Sequence, residues 1–128
     1  MSQSQFQIKS WDEKPYFEDH GGIKLTRAVV TKFYTGGISG EGSLEYLMAY
    51  NPDGTAHFVG IEHIIGKIGN KSGSFLLSHE GTFQNGVATS RFKVVAGSAV
   101  AELKGLAGSG SYSTGHAMTV PFDFEYHF

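Results

Sequence analysis

The chain has no cysteine, three prolines and only 17% charged residues, and these shortages narrow its chemistry before any motif is read. Without cysteine there is no disulfide scaffold, no thiolate metal site and no cysteine nucleophile. Ten Lys and Arg against twelve Asp and Glu leave a formal net charge of -2, and no basic stripe gathers along the sequence. That balance argues against nucleic acid or an anionic membrane as the main partner. No apolar run approaches the roughly 18 residues of a membrane helix. The start, Met1-Ser2-Gln3-Ser4-Gln5, lacks a charged stretch followed by an apolar one, so the expected location is the cytoplasm. Helical spacing is scarce as well: almost nowhere do apolar residues recur at three- and four-residue intervals for three turns.

What the chain does have is 18 glycines, 40% hydrophobic residues and 13% aromatics in 128 residues. That length fits a single domain, 1–128, able to bury a real core. Turn residues cut it into alternating segments, read as strands at approximately Gln5–Asp12, Leu25–Tyr34, Ser43–Tyr50, Thr55–Ile65, Gly73–Phe83, Val87–Val95, Ala101–Leu106 and Val120–Phe128. A ninth is possible around Ser109–Ser113. The separators include His20-Gly21-Gly22, Thr35-Gly36-Gly37, Asn51-Pro52-Asp53-Gly54 and Gly69-Asn70-Lys71. Asn85-Gly86, between Phe83 and Val87, is the clearest hairpin signal, since a primed turn needs positive φ at both positions. Long strands with tight connections in so short a chain favour closure. The expected fold is all-β, a closed antiparallel eight-stranded barrel.

Several stretches carry a resemblance: Trp11-Asp12-Glu13-Lys14-Pro15-Tyr16, Lys24-Leu25-Thr26-Arg27-Ala28, the run from Gly40 to Tyr50 with its Glu-Tyr-Leu-Met-Ala-Tyr, Phe58-Val59-Gly60-Ile61-Glu62 and Ser72-Gly73-Ser74-Phe75. Over about residues 5 to 110, the chain resembles an uncharacterised bacterial family of short proteins with a domain of unknown function. The resemblance implies a barrel similar to that of allene oxide cyclase. It supplies no activity, because shared architecture does not transfer function.

Strand parity then nominates a lumen, on the rule that long charged side chains mark the outside. Placing Lys32 outside with Ala28 and Val30 puts Arg27, Val29, Thr31 and Phe33 inside. Leu44, Tyr46, Met48 and Tyr50 take the interior of the next strand, then Phe58, Glu62 and Ile64, then Phe75, Leu77, His79 and Phe83, then Phe92 and Val94. The last strand offers Phe122, Phe124, Tyr126 and Phe128. The expected ligand-binding residues are Arg27, Tyr46, Met48, Tyr50, Phe58, Phe75, Phe92 and Tyr126, a mostly apolar lining suited to a small apolar or amphipathic molecule. A buried Glu62 must find Arg27, His79 or a tyrosine, or else carry a raised pKa.

Two other functions compete with simple binding. In one, implied by the resemblance to cyclase-type barrels, the protein is a cofactor-free isomerase or cyclase, with Glu62 and His79 as acid and base and Arg27 holding an anionic group. In the other it is a ligand-free scaffold that self-associates through outward Val59, Ile61 and Leu76; on any of these readings that outer face makes a homodimer or higher homo-oligomer the expected assembly. No cofactor and no metal site are expected. His57 and His63 share a face about 20 Å apart at ~3.3 Å per residue, and His79, His116 and His127 follow no ligand spacing. Trp11, the only tryptophan, is a candidate plug for one barrel end.

Overall fold

The computed structural model describes residues 4–19, 21–115 and 119–128. His20 and His116, named above as a turn residue and a histidine without ligand spacing, lie outside them. Among the described residues nine strands follow one another: β1 (Ser4–Glu18), β2 (Lys24–Thr35), β3 (Ile38–Tyr50), β4 (Ala56–Ile68), β5 (Lys71–Gln84), β6 (Val87–Val94), β7 (Val100–Ala101), β8 (Ala107–Thr114) and β9 (Thr119–His127). All pairings are antiparallel. They run β4-β3-β2-β1-β9-β8-β6-β5, and a β4–β5 ladder closes the circle, so eight strands form a barrel with β7 attached to β5.

At Asn85-Gly86 the expected primed turn is present. Both residues have positive φ, 54° and 77°, and Gln84 pairs with Val87 across it. The segment expected as a strand at Ala101–Leu106 is strand only over Val100–Ala101; beyond it the chain turns, with Leu103 and Lys104 amides donating to the Val100 and Ala101 carbonyls. The stretch noted as a possible ninth strand, Ser109–Ser113, lies within β8 and belongs to the ring.

The interior divides in two. At the end holding Ser4 and His127, Phe6, Ile38, Ile64, Ile68, Phe75, Leu77, Phe92 and Val120 pack together. Segment 95–106 folds across that end and adds Ala99, Leu103 and Leu106 to the cluster. β6 leaves β5 at Leu77, and β7 takes its place at Gly73 and Ser74. The Leu76 amide donates to Ser98 Oγ and the Ser72 amide to Glu102 Oε1, which ties the plug to the wall. Toward the other end a smaller cluster, Ala28, Val30, Leu44, Tyr46, Met48 and Phe58, lines the wall.

Alternation was read correctly along the inward faces of β3, β4, β5 and β6. In β2 it was inverted: Ala28, Val30 and Lys32 are buried, whereas Arg27, Val29 and Phe33 face solvent and Thr31 is half-buried on that same outer face. The cause is register. Val30 lies opposite Leu44 and Ala28 opposite Tyr46, and residues directly opposite share a face, so the inward residues of β3 fix those of β2. Tyr126 and Phe128, expected inside, are 44% and 49% exposed, because β9 runs past the packed end.

Candidate functional site

Where the two clusters meet, the interior carries charge. Glu62, in mid-β4, is fully buried opposite Leu44 and Leu77. Its carboxylate has room because the inward position two residues before Leu44 is Gly42; a Cβ there would overlap Glu62 Oε2. Tyr34 donates to Oε2 at 2.6 Å, His79 Nε2 lies 2.6 Å from Oε1, and Lys32 Nζ is 3.6 Å from Oε1. Burial by itself raises the Glu62 pKa, but the Lys32 charge and the bonds from His79 and Tyr34 outweigh it and hold the carboxyl below its ordinary value. Burial, joined by the Lys32 charge, lowers the His79 pKa and together they outweigh the upward pull of Glu62. The imidazole is therefore neutral near pH 7 and donates Nε2–H to the carboxylate, leaving buried Nδ1 without a partner among the described residues.

Lys32 is 2% exposed. Its ammonium sits over the Phe6 ring at 4.1 Å and near the Tyr112 ring at 5.5 Å, and makes no hydrogen bond among the described residues. Above it opens a cavity of about 270 Å³ lined by Lys32, Phe6, Tyr46, Met48, Phe58 and Tyr112, with Trp11, Tyr50, Phe83 and Ala88 on its more exposed side. Tyr46 and Tyr112 join hydroxyls at 2.9 Å. At the mouth, half-buried Glu13 accepts from Tyr50 at 2.5 Å, Thr26 at 2.7 Å and Trp11 Nε1 at 3.0 Å, through its two oxygens. Burial, then the Glu13 carboxylate, pushes Tyr50 up to about 12. These side chains reach the lumen because β1 slips one residue between Ile8 and Ser10. Ile8 pairs with Lys32 but Trp11 with Val30, so the inward parity changes from even to odd.

Of the residues nominated from sequence, Tyr46, Met48, Tyr50 and Phe58 line the cavity. Glu62 and His79 are joined beneath it, and Phe75 and Phe92 belong to the packed core. Arg27 does not join them. It lies on the outer wall, its guanidinium 2.5 Å from Glu45, because the β2 register turns it outward. Tyr126 stacks on Phe124 outside the lumen. Val59 and Ile61 do face outward, beside a broad outer depression of about 1100 Å³, while Leu76 is half-covered on the plugged side. Sequence reasoning missed Lys32, Tyr34, Tyr112 and Glu13; Trp11, expected as a plug for one barrel end, lines the open mouth at 44% exposure, and segment 95–106 closes the other end. The signal for Lys32 and Tyr34 was the face they share with Ala28 and Val30. Among the described residues no three His, Asp or Glu side chains gather as metal ligands.

These features define a class: a closed antiparallel barrel, plugged at one end and open at the other, with a buried ionic cluster at the base of its cavity. The chain belongs to the family described as protein of unknown function (DUF3224), whose model matches residues 2–126. Its fold is similar to the crystal structure of a DUF3224-family protein of unknown function from Shewanella oneidensis MR-1, with 26% identity and a TM-score of 0.80. That match covers 100% of this chain and 98% of the other. No curated protein matches.

Proposed function

We propose that the protein binds a small, mostly apolar molecule in the open half of the barrel. The observation that carries this reading is the cavity of about 270 Å³, walled by Phe6, Ile8, Met48, Phe58 and Phe83, in an otherwise tightly packed interior. It lies just below the usual range of roughly 300–1,000 Å³ for drug-sized ligands, so the occupant is small. Native mass spectrometry of freshly purified protein should return an adduct, and single-ring or short-chain compounds should shift the fluorescence of Trp11 on the cavity wall. Neither adduct nor shift across such a panel would end the proposal.

A second reading, a cofactor-free isomerase with Glu62 and His79 moving a proton, draws support from the unpartnered Nδ1 of His79 beside a carboxylate. Against it, Glu62 is held ionised by three partners, and neither residue lines the cavity. Turnover of a bound ligand that Glu62→Gln abolishes without loss of binding would favour the enzyme.

A further inference from the structure

The cavity floor is unusual in what it offers. Lys32 Nζ has three N–H donors, is buried, and has no hydrogen-bond partner among the described residues. Of the Tyr46–Tyr112 pair, whichever hydroxyl donates, the other keeps a proton free for a third group. Both tyrosines and Lys32 line the same cavity, whereas no Asp, Glu, Asn, Gln or His does so among the described residues. Buried donors left unsatisfied are costly, so an acceptor oxygen placed among them is held strongly.

Charge decides which oxygen. Lys32 is already balanced by Glu62, 3.6 Å away, and His79 is neutral, so the cluster carries no net charge. A ligand carboxylate would add an uncompensated negative charge beside Glu62 in a dry site. A neutral carbonyl accepts the same donors without that penalty. We infer that the cavity selects small apolar molecules bearing a neutral carbonyl oxygen, held by Lys32 and the free hydroxyl of Tyr46–Tyr112. This rests on the binding reading above and names its ligand class.

The test compares acetophenone, ethylbenzene and benzoate, nearly equal in size, by calorimetry. Acetophenone should bind about tenfold or more tighter than ethylbenzene, as expected of a hydrogen bond from a charged donor, and benzoate no tighter than ethylbenzene. The carbonyl stretch of ¹³C-labelled acetophenone should fall in frequency on binding. Lys32→Met should reduce both the preference and the shift, and so should Tyr46→Phe combined with Tyr112→Phe, which removes both hydroxyls and serves if the lysine variant does not fold. If ethylbenzene binds as well as acetophenone, the carbonyl inference fails and the apolar pocket stands. Benzoate binding tenfold tighter than acetophenone would make this an anion site and overturn the inference. If no probe binds, the binding proposal falls with it.

Discussion

The two halves of this barrel are built from the same strands and filled by opposite means. In one half, segment 95–106 lays Ala99, Leu103 and Leu106 across the opening, and the aromatics behind them touch in pairs such as Phe6–Phe122 and Phe92–Phe122. In the other, wall residues of the same alternation leave about 270 Å³ unfilled. Strand alternation fixes which side chains point inward, and the connections decide whether an end is sealed. A twelve-residue connection can fold back over its end, whereas the two-residue turn at Asn85-Gly86 cannot. The Glu62 cluster lies at the boundary, where the packed half shields it from water and Lys32 forms part of the cavity lining of the open half.

The strongest way to break this arrangement is to unbalance that boundary. Glu62→Gln leaves the Lys32 ammonium buried without its counter-charge, so it should cost about 3–5 kcal/mol of stability in chemical unfolding. A loss below about 1 kcal/mol would mean that water enters the cluster and the lower half does not seal it.

Truncation sharpens the contrast between the halves directly. Leu103→Ala, in the plug, should cost about 3–4 kcal/mol, whereas Met48→Ala, beside existing empty space, should cost about 2 kcal/mol, the low end for such changes. Met48→Ala should also admit larger ligands. Equal losses would show that the plug contributes no more than the open wall.

A smaller effect is read from pH. The Glu62 carboxyl lies below its ordinary 4.5 in the folded state, so its contribution is present above that value and lost as pH falls through the folded pKa. His79 lies below its ordinary 6.5; the unfolded chain binds the proton first, so stability also declines as pH falls below 6.5. Both act in one direction. Melting temperature should fall steadily from pH 7 to 4, and His79→Gln should remove the part near 6.5 while keeping the acid part. A rise in stability between pH 7 and 6 would mean that His79 becomes protonated against Glu62 in the folded protein.

How much of this was legible follows from where register is set. The inward faces of β3, β5 and β6 could be read from the alternation of their apolar residues, and Asn85-Gly86 fixes one turn; in β4 both faces are apolar, with Val59, Ile61 and Ile65 outward, and Lys67 on that outer face decided the parity. In β2 each face carries cations beside apolar neighbours, Lys24 and Lys32 on one and Arg27 on the other, so parity had to come from the β2–β3 connection. A two-residue Gly36-Gly37 turn would place Val29 opposite Leu44; the observed pairing of Tyr34 with Gly40 makes the connection one residue longer and places Val30 there instead. The slip in β1 that turns Trp11 and Glu13 inward has no marker in the local pattern. Tyr112 lies in a Gly- and Ser-rich stretch read only as a possible strand, whose faces could not be told apart by apolar alternation, and β6 and β9 on either side hold it in the ring. The pair Glu62–His79 was found because His79 shares a face with Phe75 and Leu77, and Lys67 turned the ambiguous strand of Glu62 the right way; its cation was assigned to the wrong residue of β2.

That misassignment supplies the smallest expected effect and the cleanest control. Arg27 and Lys32 lie five residues apart in one strand, and an odd separation puts them on opposite faces. Arg27 meets Glu45 in water, where charge is screened and two long side chains lose freedom to hold one contact, so the pair contributes little. Arg27→Gln should therefore leave the melting temperature, its pH profile and the affinity for acetophenone unchanged, whereas Lys32→Met alters all three. The charge removed from the chain is the same in both variants. Only the face differs, so a matching response from the two would show that the lumen senses net charge at long range, and the assignment of Lys32 as the cavity's donor would fail.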